Sequence, residues 1–556
     1  MNYPIWELPA SGLLIAVVAV VHVFVAHFAV GGGLFLVLTE RKARREGDAA
    51  LLAFVRTHSR FFALLTLVFG AITGVGIWFT IGLVHPSATS ALINTFVWAW
   101  AIEWTFFFVE IAAAMVYFYG WDRLTPATHM TVGWIYFWAA WLSLAVINGV
   151  LSFMLTPGLW LTTGGFWDGV LNPGYLPSVV ARTCGAVGLA GVYALLTASR
   201  SGDPVLREKV ARYAVLRWIA PMAVLLPASV VWSLHAASAA GVPVREIFGS
   251  ATGGWLSIVT GIVGGSATGQ PIAQLAARVL LAACAGGLVL CGIVLARGRA
   301  YGPWLASTVM LSAFLALGAA EWVREDLRKP FVIGNYMFVN SVRLADLRTI
   351  DSDGVLKTAL WTRLPGDLDA RPAETAMPEK GREVFRLECS TCHTIDGHLA
   401  IRPLVQGVAP GALDAMLGRL AAPAADQVWE DTQLRLRTWR GRRMPPFAGT
   451  RDERRALAVY LAGLGGAPPE AAARYGAEGD VGERFFNENC SMCHGADGDF
   501  TFDAKGRSAD TLYEMIGRLP RINDAMPPLE ASGAERRALA EHLATLHGTA
   551  RKGGSE

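Results

Sequence analysis

Charge is what this 556-residue sequence has least of: 17% of its residues are Asp, Glu, Lys or Arg, against roughly 25% in an ordinary soluble protein. The deficit is local. Long apolar runs fill residues 1–330, whereas residues 340–556 have an ordinary soluble composition. A net charge of +3 leaves no electrostatic footprint for nucleic acid, so no such partner is expected. Cysteine is also scarce. Of seven in the chain, four are committed to two Cys-x-x-Cys-His units, and Cys184, Cys284 and Cys291 lie in apolar runs, where each reads as a small buried hydrophobe. Nothing remains from which to build a disulfide framework. Tryptophan, by contrast, is abundant (19), often near the ends of apolar runs, as interfacial anchoring favours.

Eight apolar segments reach the roughly 20 residues that a bilayer core requires. They fall near 11–38, 59–84, 93–119, 129–152, 177–198, 214–237, 270–296 and 304–323. The first is too long for a cleavable signal peptide, and no small-residue cleavage site precedes the charges at its end. Basic residues follow the odd-numbered segments: Arg41, Lys42, Arg44 and Arg45; Arg123; Arg200, Arg207 and Lys209; Arg297 and Arg299. Lys and Arg collect on the cytoplasmic side. The N-terminus is therefore expected outside a bacterial cytoplasmic membrane, and an even span count puts the C-terminal part outside too.

The soluble part repeats itself. Gly381–Gly397 (GREVFRLECSTCHTIDG) matches Gly482–Gly498 (GERFFNENCSMCHGADG), and ERRALAVYLAGL from Glu453 matches ERRALAEHLATL from Glu535. Each repeat holds one Cys-x-x-Cys-His: Cys389, Cys392 and His393, then Cys490, Cys493 and His494. Two thiols at this spacing reach both vinyl groups of one porphyrin, and the adjoining histidine falls beneath the iron. The rival reading of Cys-x-x-Cys, a zinc or thioredoxin-type site, does not account for a histidine immediately after it in both repeats. Met-Pro-Pro follows in each, in Arg442–Phe447 and Asp524–Leu529. A lone methionine usually fills a core, but the repeated context makes Met444 and Met526 the sixth ligands; Met492 is a spacer. Both halves resemble class I cytochromes c. Haem is attached to such units outside the cytoplasmic membrane, which agrees with the loop charges.

Ionisable groups inside a bilayer are costly and face the bundle interior. His22 and His27 lie in the first apolar segment, Glu103 and Glu110 in the third, Arg278 in the seventh, and Glu321 and Glu325 at the outer end of the eighth. Taken together in a haem-bearing chain, they point to a cofactor or proton site. Glu103 and Glu110, about two turns apart, can face one proton path.

Here the sequence resembles subunit I of the cytochrome bd-type quinol oxidases. Val20–Glu40 (VVHVFVAHFAVGGGLFLVLTE) is similar to the family's first helix, and Ala101–Leu124, with Gly-Trp-Asp-Arg-Leu, to its third; His129–Trp134 and Leu171–Pro173 also fit. The resemblance spans about 330 residues, is strongest in the first four segments, and implies high-spin membrane haems. His22 stands at one haem-ligand position. In Glu321–Gly334 (EWVREDLRKPFVIG), Glu325 stands at the ligand position of the second high-spin haem and Arg328 at the arginine beside it. The family works with a second membrane subunit, so one, or a substitute, is expected.

The departures are as informative. The family's low-spin haem, near its quinol site, takes a histidine and a methionine. Their positions fall here on Arg182 or Thr183 and on Leu280. Leu234–Gly249 is short and lacks the quinol-loop motif. His235, near the outer end of the sixth segment, is a candidate replacement ligand, with an interfacial histidine as the plainer reading.

The expected architecture is all-α: an eight-span bundle followed by two small helical cytochrome c domains. The boundaries are 1–335 for a transmembrane haem domain, 336–377 for a linker or docking segment, and 378–466 and 476–548 for the c domains. Two covalent c haems and one or two high-spin membrane haems, b or d in type, are expected. The sequence reads as an oxidase drawing electrons from a soluble cytochrome c to reduce O2. Outward transfer from quinol to periplasmic cytochromes is the alternative, as is NO in place of O2. Glu103, Glu110 and Arg328 are the candidate catalytic residues, and lipid surrounds the first domain.

Overall fold

Apolar runs bounded by caps set the first architecture. The computed structural model describes residues 11–249, 255–265, 270–359, 362–366, 368, 371, 373–418, 420, 444–468, 475, 481–494, 504, 507–523, 526–531 and 533–545. Of the positions singled out above, Arg442, Arg443, 495–498, Asp524, Ala525, Leu546 and the limits 1, 476 and 548 lie outside the described residues. The chain divides into two compact units, one built on Leu13–Ser341 and the other on Val342–Trp439 with Met444–Glu556.

Eight described helices are long and apolar enough to cross a membrane: Gly12–Glu46, Ala49–Val84, Val97–Tyr119, Pro126–Phe153, Tyr175–Ala198, Pro204–Ala239, Pro271–Ala300 and Pro303–Arg328. These are the first to eighth spans. The second and sixth begin well before the apolar runs expected near 59 and 214. Their extra turns carry Arg56, or Arg207, Lys209 and Arg212, so hydropathy misses them although the helix is continuous. Asp48 and Asp203 cap these two starts by accepting from backbone N–H groups. In both spans a six-residue π-helical stretch, Leu65–Gly70 or Ala214–Ile219, joins the charged turns to the apolar run.

The fifth span is the most enclosed; it packs on the second, fourth, sixth and eighth, and Leu189–Leu195 is buried without a break. The first span reaches it through Phe28, whose ring stacks on Tyr193 at 3.8 Å. Gly31 lies so close to the Ala186 carbonyl that a Cβ would come within 1.9 Å of it, and one at Gly33 would come within 2.3 Å of the Tyr136 ring. Beyond the eighth span, Phe331–Ile333 pairs antiparallel with Met337–Phe338, the only strands among the described residues. Gly334 donates its N–H to the Met154 carbonyl at 2.8 Å, which ties this hairpin to the end of the fourth span. Of the three apolar-run cysteines only Cys291 is buried; Cys184 is half-buried and Cys284 exposed on the seventh span. A helix face turned towards lipid stays apolar, so the expectation of burial failed where lipid replaces a protein core.

In the second unit the internal repeat becomes a repeated helix crossing. Ala373–Glu388 packs on Arg451–Leu464, and Val481–Asn489 on Gly533–Thr545. At the two crossings a Cβ on Gly381 would lie 2.0 Å from the Ala456 carbonyl oxygen, and one on Gly482 2.0 Å from that of Ala538. These are equivalent positions of the repeat, so glycine there permits backbone-to-backbone contact. Thr450 and Glu453 form a capping box at the start of Arg451–Leu464. Glu453 also accepts from the N–H groups of Val355 and Leu356 at 2.9 and 2.8 Å, fastening the preceding segment. At the joint between repeats, buried Asp414 accepts from Arg454 Nε and from the Tyr475 hydroxyl, each at 2.7 Å.

Candidate functional site

Each Cys-x-x-Cys-His closes the helix that leads into it. Cys389 N donates to Phe385 O and His393 N to Cys389 O; Cys490 and His494 repeat the pattern with Phe486 and Cys490. His393 Nδ1 donates to the Leu399 carbonyl at 3.0 Å. That bond puts hydrogen on Nδ1 and orients the ring. Burial pushes the Cys389 thiol far up and that of Cys490 up to about 12. The paired thiols with the histidine next in line suit thioether attachment of a haem whose vinyl groups take up both sulfurs. Met444 and Met526 are half-buried, Met526 N donating to Asn523 O at 3.0 Å.

In the first unit, the structure spreads the candidate residues over three places. His22 turns towards the second span, with Nδ1 3.1 Å from Thr73 Oγ1. His27 is buried, with Nδ1 2.7 Å from the Val23 carbonyl, and its ring edge lies against Gly185 of the fifth span. Five residues along a helix is a rotation of roughly 140°, so one helix offers two neighbours a histidine each.

Glu325 and Arg328 meet at the end of the eighth span, Arg328 Nη2 to Glu325 Oε2 at 2.5 Å. Arg328 Nη1 also donates to the Val332 carbonyl at 2.8 Å, so the hairpin holds the guanidinium against the carboxylate. Arg328 Nε, Arg324 Nη1 and, at the end of the second span, His85 Nδ1 are buried without a hydrogen-bond partner. Buried donors are normally satisfied. Orphaned donors near a candidate iron ligand fit a bound group with acceptor oxygens, as haem propionates are.

Glu103 and Glu110 both turn to the fourth span. Glu103 accepts from Ser143 Oγ at 3.1 Å, and Glu110 from the Tyr136 hydroxyl at 3.0 Å. Partner spacing repeats carboxylate spacing, so both acids share one helix–helix seam.

Comparison with known proteins gives three family matches. Residues 11–241 match the family model for cytochrome bd terminal oxidase subunit I, 378–465 the one for cytochrome c, and 477–543 the one for cytochrome c oxidase, cbb3-type, subunit III. Residues 11–241 thus form a cytochrome bd subunit I domain, and two cytochrome c domains follow it. Among solved structures, the bd oxidase from Geobacillus thermodenitrificans is similar over 59% of this chain and 88% of that one, at 16% identity and a TM-score of 0.43. No curated protein matches. A multi-pass membrane oxidoreductase with covalent haem c and membrane haem follows from the family matches. The bd match stops at residue 241, before the seventh and eighth spans that carry Leu280, Glu321 and Glu325.

In the bd domain, Arg182 extends from the fifth span to Glu321 of the eighth, Nη2 to Oε1 at 2.9 Å, with side chains 11% and 16% exposed. Arg324 Nε holds the other carboxylate oxygen at 2.7 Å. Thr183 turns instead to the fourth span and accepts from Trp141 Nε1 at 3.1 Å. Leu280 is half-buried and His235 exposed on the sixth span. Arg278 Nε donates to the Ile262 carbonyl at 2.6 Å. Sequence reasoning missed His85, a histidine outside any quoted motif, and the role of Arg182 as an ion-pair partner. It also quoted Glu40 and His129 only as parts of motifs. The signal for these two was present: Glu40 closes the first apolar run and His129 opens the fourth.

Proposed function

We propose that this chain is the haem-bearing subunit of a membrane oxidase that takes electrons from a soluble cytochrome c. They arrive at two covalent c haems, held by Cys389, Cys392, His393 and Met444, and by Cys490, Cys493, His494 and Met526. They continue to one or two high-spin membrane haems, of b or d type, ligated through His22 and Glu325. When bound, such a haem supplies the open iron position at which O2 is taken and reduced to water. The chain's own residues do the rest. Arg328 positions Glu325, and Glu110 and Glu103 carry protons along the seam between the third and fourth spans.

The observation that carries this reading is the Arg182–Glu321 ion pair. The family's low-spin haem histidine position falls on Arg182 or Thr183; a guanidinium offers iron no lone pair and is here committed to a carboxylate, and Thr183 accepts from Trp141 Nε1. Leu234–Gly249 is too short for the quinol loop. Thioether ligation raises a c haem's potential, which suits electrons from another cytochrome better than from a quinol. In this reading the N-terminus and both c domains lie on the outer face of a bacterial cytoplasmic membrane, where a soluble donor docks; the basic loops support that orientation. A second membrane subunit, related to the family's or a substitute for it, completes the complex.

The test is O2 uptake by purified complex with reduced small cytochrome c against ubiquinol, beside pyridine haemochrome and CO-difference spectra. Turnover is expected with the cytochrome and nearly none with quinol. Fast quinol turnover sensitive to a quinol-site inhibitor overturns the proposal.

A further inference from the structure

We infer that protons reach Glu110 by a buried route that starts at Glu40 and crosses a one-water cavity between Tyr117 and Tyr136. The inference rests on the reading of Glu110 as a proton carrier, and on the loop charges that put Glu40 near the cytoplasmic side.

Glu40 is fully buried at the end of the first span's apolar run. Arg44 Nε donates to its Oε1 at 2.7 Å, and the Tyr117 hydroxyl to its Oε2 at 2.7 Å. His129 Nδ1 lies 3.0 Å from both carboxylate oxygens, and His129 Nε2 3.0 Å from the Tyr117 carbonyl. A carbonyl only accepts, so Nε2 carries hydrogen. Nδ1 then faces a carboxyl group, and the bond exists only if a proton lies between them, on the imidazole or on the acid. His129 and Glu40 are 1% and 0% exposed, so the pair stores that proton away from water. Arg44, 29% exposed, leads outward from it.

Tyr117 is the exit. It lines a small cavity, with room for about one water, that Tyr136 and Ser59 also line. The remaining walls, among them Phe62, Ala63 and Ala114, are apolar. On the far side the Tyr136 hydroxyl is 3.0 Å from Glu110 Oε1 and equally 3.0 Å from the Ala29 carbonyl. It therefore has two resting places for its hydrogen, one towards Glu110 and one away. A purely structural clamp between the first, third and fourth spans needs the Glu40–His129–Tyr117 bonds, but neither the cavity nor the second tyrosine.

The transfer balances atom by atom. With the stored proton on Glu40 and the Tyr117 hydroxyl turned from Oε2 to the water, Glu40 gives its proton to the Tyr117 oxygen as Tyr117 passes its own to the water. The water passes one to the Tyr136 oxygen, and Tyr136 gives its own to the Glu110 carboxylate. Each hydroxyl ends neutral, and no bond between heavy atoms changes.

The experiment uses the full chain with its haems. Proton uptake is followed with a pH dye after reduced protein is mixed with O2, and anaerobic reduction of the membrane haems by cytochrome c is timed separately. Tyr117→Phe and Tyr136→Phe are expected to slow uptake about tenfold or more, with haem content and anaerobic reduction unchanged. Ala114→Val, which fills the cavity and removes no hydroxyl, is expected to slow uptake as well and covers the case in which a tyrosine variant fails to fold. Native uptake in all three overturns the route. If Glu110→Gln alone slows uptake, the route falls and the reading of Glu110 stands. If Glu110→Gln is also native, that reading falls with it.

Discussion

Replacing Arg182 by leucine tests both the stability of the first unit and the account of electron delivery. Arg182 Nη2 and Glu321 Oε1 are 2.9 Å apart, and neither side chain is more than 16% exposed. At an effective dielectric of about 20, charges at this separation attract by about 6 kcal/mol, offset by the desolvation of both. Removing one partner of a buried pair typically costs about 3–5 kcal/mol, because the other charge stays buried. Arg324 still faces Glu321 at 2.7 Å, so Arg182→Leu should fall at the low end, about 3 kcal/mol. Arg182→Leu with Glu321→Gln leaves no uncompensated carboxylate and should recover much of the loss. The assay is thermal loss of the membrane-haem absorbance of solubilised protein, with haem content by pyridine haemochrome. The single variant should melt several degrees lower, and the double should lie closer to the native protein. No haem should be lost from the folded single variant, because none is ligated by Arg182. Native stability in Arg182→Leu, or the specific disappearance of a low-spin b haem, refutes the reasoning.

Four further outcomes are expected. Gly381→Ala and Gly482→Ala each drive a methyl against a carbonyl 2.0 Å away. Each should destabilise its own c domain by about 1–3 kcal/mol in denaturant titrations read at the haem c band, whereas Gly463→Ala, with nothing within 4 Å, should not. His393→Ala and His494→Ala should each remove one low-spin c-haem signal and leave the membrane haems; magnetic circular dichroism showing both c haems six-coordinate in either variant would contradict this. His22→Ala and Glu325→Ala should each perturb high-spin haem and abolish O2 uptake, and full haem content with normal uptake would exclude their ligand roles. Turnover with cytochrome c should fall as salt rises, since docking charges are screened within about 10 Å at 0.1 M, and a flat salt profile would argue against electrostatic docking.

What the sequence displays depends on how local the chemistry is. The Cys-x-x-Cys-His units are readable because five consecutive residues carry the whole attachment. The spans are readable because a bilayer demands unbroken apolar length, although Arg56 and Arg207 concealed the true starts of two helices. Arg182 was legible only as a missing ligand, since its partner Glu321 is 139 residues away and nothing in the sequence links them. Glu40 and His129, 89 residues apart, are joined by the same kind of long-range geometry. The paired roles of Glu103 and Glu110 could be anticipated from helical spacing, but their partners Ser143 and Tyr136 depend on how the fourth span is rotated. Gly381 and Gly482 were visible as the first letters of a repeat, and only the crossing of two backbones explains why that letter is glycine.

The glycines of the first span set an angular register for the haem side of the bundle. Gly31 seats the span on the backbone of the fifth, and Gly33 seats it on the Tyr136 ring of the fourth. A helix gripped from two directions within three residues can neither roll nor slide. His22 and His27 ride on the same rigid rod, so their bearings towards the second and fifth spans are fixed together. Deleting one residue between His27 and Gly31 would swing both imidazoles by roughly 100° while every side chain remained present, so both histidines would stay and their aim would be lost.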